Sequence, residues 1–228
     1  MSEMLVKLWD NGLLQLGVWE TIYMTLLSTG FAYLFGLPMG VILWVTDKNG
    51  LPQVGKGKQM ACRIINCVLG FVVNFFRSIP CIILMVAMMP VARLILGKSS
   101  VIVTLIIAAA PYIARMVESS VKEVPSGVIE AAQSMGCTNW QIVWHVLLPE
   151  AKPSLIHGSV IATVTVLGYT AMAATLGGTG LGQVAIIYGH QRSNADVIWV
   201  CVVLIWIVVQ VIQFIGELVA RKTDKRIR

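Results

Sequence analysis

Three long stretches of this chain contain no charged side chain, and they limit what it can fold into. Each is long enough for a helix of ~20 residues, the length needed to cross a hydrocarbon core of ~30 Å. Only 12% of the 228 residues are charged, which is about half the share typical of soluble domains. The sequence therefore predicts an all-α integral membrane protein. The uncharged stretches are Thr21–Thr46, Pro153–Gln191 and Val197–Gly216.

Two further apolar segments bring the expected number of membrane spans to five. One of them, Ile64–Gly97, is interrupted by charge only at Arg77 and Arg93. The fifth span is rich in Val and Ile and is expected to face lipid. The fourth is rich in Thr, Ala and Gly, which favour close helix packing, and is expected to be central. We predict spans at about residues 20–46, 60–92, 99–117, 154–175 and 196–217.

Basic residues are distributed unevenly between the two sides that five spans define. One side carries twelve and the other three, and positive loops favour the cytoplasm. The N terminus is therefore expected outside, and the C terminus and the loop 118–152 inside. The net charge of +6 follows this topology, so no nucleic-acid partner is expected. The twelve are Lys48, Lys56, Lys58, Arg63, Arg115, Lys122, Lys152, Arg221, Lys222, Lys225, Arg226 and Arg228.

Pro80 interrupts the second apolar segment. Proline lacks a backbone donor and disfavours helix at the preceding residue, Ile79. Such a break frees carbonyl groups that the Arg77 guanidinium or the Ser78 hydroxyl can satisfy. Irregular backbone at membrane depth needs protein or a water-filled cavity around it, so one interpretation is a kinked helix that lines a translocation path. The other is that Arg77 extends to the cytoplasmic surface, and the residues alone favour neither.

The polar segment between the third and fourth spans is patterned as two short helices. Gly136 suits the left-handed position that ends the first, at about residues 128–135. Thr138 and Gln141 have the spacing of a capping box that opens the second. The prolines expected to end the second helix are Pro149 and Pro153.

The first of these helices has two faces of different character. Small residues beside a single acid suit insertion into the cleft of a partner protein, whereas the more apolar face suits packing on the membrane helices. A surface-lying amphipathic linker is the alternative. The partner face consists of Glu130, Ala131 and Ser134, and the packing face of Ile129, Ala132 and Met135.

The sequence does not indicate catalytic chemistry. No acidic residue lies between Asp47 and Glu118, and the three histidines are well separated, so the paired groups of a membrane enzyme are missing. The glycine-rich segment 177–182 resembles a phosphate loop, but no strand precedes it and no Lys-Ser or Lys-Thr follows. It is expected to form a tight turn. The five cysteines lack ligand spacing and are expected to be packing residues.

A recurrent spacing in the polar segment carries a family resemblance. Glu130-Ala131-Ala132 is followed after three residues by Gly136, and later by Leu148-Pro149. This pattern resembles the EAA loop of the membrane subunits of bacterial ABC importers. Further segments are similar to the methionine-importing members of that family, which have five spans. They are Phe76–Pro80, Ala109–Glu118, and Gly168–Met172 followed by Gly180–Gln183; the chain departs from the family before Gly17 and in the loop 47–58.

The resemblance implies a type I ABC importer permease fold, with residues 1–228 as one transmembrane domain and coupling helices at about 121–152. It implies a methionine permease of the bacterial inner membrane that is not itself an enzyme and holds no cofactor. A second copy of the chain would complete the pore, and two cytoplasmic ATPase subunits would bind ATP and Mg²⁺. An external methionine-binding lipoprotein would deliver the cargo. The alternatives are a permease for another small amino acid and a stand-alone secondary transporter.

In such importers the EAA helix docks in a groove of each ATPase subunit, and closure of those subunits pulls the docking helices together and turns the pore outward. Together with the patterns above, this implies roles for three groups of residues. They are ATPase coupling for Glu130, Ala131, Ala132, Ser134, Gly136, Leu148 and Pro149; gate or pore lining for Met172, Thr170 and Gly168; and a helix break at Arg77, Ser78 and Pro80.

Overall fold

The structure, a computed structural model, describes residues 3–48, 50–51, 56–96 and 100–223. Within these residues all regular secondary structure is helical, which confirms the predicted all-α class. In chain order the elements are α1 Glu3–Asp10, α2 Leu13–Val45, α3 Lys56–Ser78, α4 Cys81–Leu96, α5 Ser100–Lys122, α6 Ser126–Ser134, α7 Asn139–Gln141, a π-helical turn Ile142–Leu147, α8 Leu148–Ala173, a 3₁₀ turn Ala174–Leu176, α9 Leu181–Val184, a π-helical turn Ala185–His190, and α10 Ala195–Thr223.

Five helices in the described part of the chain are long and apolar enough to cross a membrane, which is the number predicted. The prediction of one continuous span over 60–92 is wrong, because this segment forms two helices, α3 and the shorter α4. The cause is Pro80, where the first helix has ended and a new one starts. The N–H groups of Ile83 and Leu84 donate to the Pro80 carbonyl at 2.9 and 3.0 Å, forming the first turn of α4.

The chain divides into two compact units. The first comprises the described residues up to Ala32, the described part of Ile79–Ala109, and Ile161–Ile215. It contains two buried apolar clusters, one joining α1 and α2 to α9 and α10, and one joining α2, α4, α5 and α8. Their members are Leu8, Leu14, Leu181, Val184, Val197 and Cys201 in the first, and Met24, Met85, Met89, Val101, Leu105 and Ala173 in the second.

The glycine-rich segment after α8 forms a tight turn in this first unit, as the sequence predicts. Gly177 and Gly180 have φ angles of 89° and 104°, a region that side chains with a Cβ rarely adopt. The Thr21 hydroxyl donates to the Gly17 carbonyl at 2.8 Å and accepts the Leu181 N–H at 2.9 Å. A side chain of α2 therefore caps the start of α9, and the glycines have a structural role.

The second unit comprises the described residues within Tyr33–Ser78, Ala110–Val160, and α10 from Gly216 onward. Within it α2 packs very closely on α5 through Gly36 and Gly40. A Cβ at Gly36 would lie 2.7 Å from Ile113 Cγ2, and one at Gly40 would lie 2.7 Å from Val117 Cβ. Small residues four apart permit such close approach of two helices. Leu43, Val73 and Ala114 form a buried cluster that adds α3 to this pair.

The membrane-length helices differ in how much of their apolar surface the chain itself covers. The share of the most apolar window that the chain buries is 56% for α5 and 28% for the helix ending at Leu176. It is 6% each for α3 and α10. The exposed α10 agrees with the expectation that the fifth span faces lipid. Within one chain α5 is the most buried of these helices, and α8 leaves one stripe uncovered. The central place expected for the fourth span stays a prediction.

Candidate functional site

The polar segment between α5 and α8 is an ordered structure with defined helix ends. Helix α6 ends in a turn at Gly136, whose φ is +79°. The Gly136 N–H donates to the Gln133 carbonyl at 2.9 Å, and the Cys137 N–H donates to the Ala132 carbonyl at 3.2 Å. These are the two bonds of a Schellman motif. The left-handed stop predicted at Gly136 is thus present.

The second helix of the segment begins with the predicted capping box. The Gln141 N–H donates to the Thr138 hydroxyl at 3.4 Å. In return, the Thr138 N–H donates to the Gln141 side-chain oxygen at 2.8 Å. Two backbone donors that the helix itself leaves unsatisfied are therefore paired reciprocally. The turn from α6 into α7 is fixed on both sides.

The helix that starts at α7 does not end at the prolines, contrary to the prediction. It runs through the π-helical turn into α8 without interruption. The Leu148 N–H donates to the carbonyl of Val143, five residues back, so the turn before Pro149 is wider than an α-helical turn. Pro149 follows directly, and the wider turn lets the helix continue past a residue that has no N–H to donate. The second helix of the polar segment and the fourth span are therefore one continuous helix.

The two faces of α6 are unequal in exposure. Ile129 and Ala132 are buried, and α6 packs against the π-helical turn, which itself buries Ile142, Val143 and Leu147. Glu130, Ala131 and Ser134 are exposed, and the Ser134 hydroxyl donates to the Glu130 carbonyl at 2.9 Å. We call Glu130, Ala131 and Ser134 the α6 outer face.

One residue differs from its expected place on α6, and one belongs to two predictions. Ala132 was expected on the packing face and is only 2% exposed, which confirms that placement, while its share in ATPase coupling stays a prediction. Met135 was expected on the packing face, but it is 77% exposed. Met135 is the residue after the helix, with ψ near 3°. Because its backbone is no longer helical, its side chain does not lie on the face that helical spacing predicts. Leu148 is half-buried and Pro149 is exposed.

The exposed side of α8 carries two of the three residues expected at a gate. Gly168 and Met172 lie on it, and a Cβ at Gly168 would meet nothing within 4 Å. Thr170 is only 4% exposed, and its hydroxyl donates to the Leu167 carbonyl at 2.7 Å. Thr170 is therefore not on this surface. The α8 stripe, as we call it, consists of Ile161, Thr165, Gly168, Met172 and Thr175 at successive helical turns, with Thr165 half-buried.

Around the helix break, Arg77, Ser78 and Pro80 are all exposed. Helix α3 ends at Ser78, and α4 begins at Cys81. The Ser78 hydroxyl donates to the Asn74 carbonyl at 2.8 Å. This is the usual bond of a helical serine to the carbonyl four residues back, so the predicted role of Arg77 and Ser78 at carbonyls freed by Pro80 stays a prediction.

A charged network at the end of α5 is larger than the sequence indicates. Arg115 and Glu118 are three residues apart on α5, a spacing that predicts an ion pair, and they form one at 2.6 Å. Lys122 also contacts Glu118 at 2.7 Å. Beyond this, Arg115 donates to the Asn74 side-chain oxygen at 2.8 Å, and Lys122 lies 3.5 Å from Asp47. The Glu118 side chain is only 7% exposed, and a buried charge requires such pairing. The network ties α2 and α3 to the helix that leads into α6.

Sequence reasoning missed most of this network for a clear reason. Lys122 follows Glu118 by four residues, so helical spacing alone could have revealed that contact. Asn74 is 41 residues from Arg115, and no local pattern connects them. Among the described residues, no group of three His, Cys, Asp or Glu side chains is arranged to hold a metal ion.

Comparison with protein families gives one match, to residues 60–228 of the chain. The family is described as the binding-protein-dependent transport system inner membrane component.

Two relatives match nearly the whole chain. The probable D-methionine transport system permease protein MetI of Vibrio cholerae is 43% identical over 221 residues, which is 95% of each chain. The methionine import system permease protein MetP of Bacillus subtilis is 40% identical over 226 residues, covering 97% of this chain and 96% of its own.

The fold matches as closely as the sequence does. A chain of the MetNI methionine ABC transporter, solved in inward-facing conformations, superposes with a TM-score of 0.88 at 42% identity. The superposition covers 99% of this chain and all of that one.

Proposed function

The chain belongs to the family of binding-protein-dependent transport system inner membrane components, and we propose that it is the permease subunit of an ATP-driven methionine importer. Membership of this family and five apolar helices make it a multi-pass inner-membrane protein. Methionine as cargo is supported by the names of relatives that are 43% and 40% identical along almost their full length.

The proposed assembly contains more than this chain. A second copy completes the pore, two cytoplasmic ATPase subunits bind ATP and Mg²⁺, and an external methionine-binding lipoprotein delivers the substrate. The N terminus lies outside and the C terminus in the cytoplasm, as the excess of basic residues on one side supports. Under this orientation α6 and α7 face the ATPase subunits.

The observation that carries the coupling role is the arrangement of α6. One face is buried against the π-helical turn, and the α6 outer face remains free to contact a partner. Ala131 is exposed and adds almost no bulk, so a partner's groove can approach the backbone closely. From the π-helical turn the helix continues without a break into α8. The helix that packs against α6 through the π-helical turn is thus the one that carries the α8 stripe, and in this proposal a displacement of α6 by the ATPase acts on the translocation path through it.

The α8 stripe is the proposed wall of the translocation path. Its exposed positions carry an isoleucine, a glycine, a methionine and a threonine, while the spans carry no carboxylate pair to hold a zwitterion. Met172 is flexible and 46% exposed, which suits a gate that closes by packing. Gly168 provides space beside it.

The test of coupling is Ala131→Arg. Arginine on the α6 outer face projects into the space where the partner's groove would lie, so the ATPase subunit should no longer co-purify with the membrane protein. Because Ala131 is exposed, the substitution should leave the fold intact, as judged by helical circular dichroism and a single gel-filtration peak.

Ala131→Ser provides the matched control, since it keeps the residue small and should retain the ATPase. Undiminished co-purification of the Ala131→Arg protein with the ATPase would refute docking through this face.

A further inference from the structure

A large open cavity lies at the end of the second unit where α2 meets α3, and the function proposed above does not use it. Its volume is about 860 Å³, within the range of ~300–1,000 Å³ that small-molecule sites occupy. The segment between the two helices belongs to the loop 47–58, where the chain departs from the family pattern. The cavity is lined by Thr46, Asp47, Lys48, Leu51, Gln59, Cys62, Arg63, Asn66 and Cys67.

The charge of this cavity is positive. Lys48 and Arg63 contribute two cations, and among the described residues neither lies within ion-pair distance of a carboxylate. The one lining acid is Asp47, whose carboxylate accepts the Lys48 backbone N–H at 2.7 Å and lies 3.5 Å from the Lys122 ammonium. Lys122 therefore offsets the charge of Asp47. An anion in the cavity would meet two basic side chains with little opposing charge.

The wall between the two helices is held in place. The Asn66 side-chain amide donates to the Leu43 carbonyl at 2.7 Å and to the Thr46 hydroxyl at 3.1 Å. Leu51 is 2% exposed and fixes the start of the loop. The positions from which Lys48 and Arg63 extend are thus set by the fold.

The cavity lies at the level of lipid headgroups. Lys48 follows the uncharged run of α2, and Arg63 precedes the uncharged run 64–76 of α3. Charged residues that flank apolar spans lie at the membrane surface. From Arg63 onward, α3 exposes an apolar stripe that leads away from the cavity along the helix. The stripe consists of Ile64, Val68, Phe71 and Phe75, exposed by 56%, 58%, 70% and 53%.

We propose that this cavity binds the phosphodiester headgroup of an anionic phospholipid, with phosphatidylglycerol as the test case. Lys48 and Arg63 contact the phosphate, and the acyl chains lie on the apolar stripe of α3. Basic pockets beside membrane helices select anionic lipids in this way. The apolar stripe favours a lipid over a soluble phosphate ester, because only a lipid has acyl chains that can cover it. The inference requires only that the chain resides in a membrane, and not that it transports methionine.

Native mass spectrometry of the full-length protein, purified in detergent with its associated subunits, tests the proposal. Phosphatidylglycerol and phosphatidylcholine are titrated separately. The wild type should bind phosphatidylglycerol more tightly by about tenfold or more. The double variant Lys48→Gln/Arg63→Gln should lose that preference. The matched control Arg221→Gln/Lys222→Gln removes the same charge from the end of α10 and should keep it, and Lys48→Arg should also keep it.

Three outcomes would overturn the proposal. The first is equal binding of both lipids by the wild type, a result that does not depend on whether any variant folds. The second is an equal loss of preference in the double variant and its matched control. The third is displacement of phosphatidylglycerol by glycerol 3-phosphate at similar concentration, which would make the ligand a soluble phosphate ester.

Discussion

At the scale of single residues, two glycines decide how closely α2 approaches α5. Gly36 and Gly40 are four residues apart and face the same neighbour. A Cβ at Gly40 would collide with the Ala114 carbonyl oxygen as well as with Val117. A backbone oxygen in a packed helix cannot move aside as the end of a flexible side chain can. These two positions therefore tolerate no side chain without a shift of the helices.

Gly40→Ala should destabilise the protein by about 1–3 kcal/mol through overpacking, which lowers Tm by roughly 3–10 °C for a chain of this size. Gly30→Ala in the same helix is the control, because a Cβ there meets nothing within 4 Å. Thermal unfolding followed by circular dichroism measures both. Equal Tm values for the two variants would contradict the close approach of α2 and α5.

The sequence reveals residue contacts only where spacing along one helix brings them together. It predicts the Arg115–Glu118 pair because the two residues are three apart in α5. It does not predict the bond from Arg115 to Asn74, or the contact of Lys122 with Asp47, because those depend on how α2 and α3 pack. The buried Ala132 beside the exposed Ala131 was predictable, because the two faces of α6 follow from helical spacing.

At the scale of elements, the turn between α6 and α7 orients the α6 outer face. It consists of the Schellman motif at Gly136 followed by the Thr138–Gln141 capping box. Since both ends of this short connection are hydrogen-bonded, α6 has one defined direction relative to the helix that continues into α8.

Gly136→Ala should weaken this turn, because an L-residue in the left-handed region costs about 1–2 kcal/mol. The amide of Cys137 should exchange with solvent faster, by about five- to thirtyfold, as measured by hydrogen–deuterium exchange. Gly127→Ala provides a control in the same element, since Gly127 has open space around its Cβ position and no positive φ. Unchanged exchange at Cys137 in the Gly136→Ala protein would rule out a strained turn.

Turn chemistry was predictable for this element, and helix continuation was not. Gly136, Thr138 and Gln141 act through local bonds, so their spacing is sufficient evidence. Pro149 usually ends a helix, but here a π-helical turn precedes it and gives the wider geometry in which the helix continues. The residue pattern does not predict that turn, which packs against α6. At Pro80 no such turn compensates, and the helix breaks.

At the scale of the whole molecule, the five membrane-length helices of the described residues differ in how much of their surface the chain itself covers. The apolar window of α5 is 56% buried, whereas those of α3 and α10 are 6% buried. Uncharged windows and their lengths predict the number of spans and the all-α class, because membrane crossing depends on composition alone. They do not predict which helix the rest of the chain covers most, since that depends on contacts such as those of Gly36 and Gly40.

The most direct test of the account is substrate uptake by sealed vesicles that contain the purified chain with its ATPase subunits and methionine-binding protein. We expect uptake of labelled methionine that requires ATP on the ATPase side and is lost when the ATPase carries an inactive catalytic site. Unlabelled methionine should compete better than other small amino acids. Two results would contradict the proposed function. One is uptake of labelled methionine without ATP by vesicles that contain this chain alone, and the other is uptake that unlabelled methionine does not inhibit.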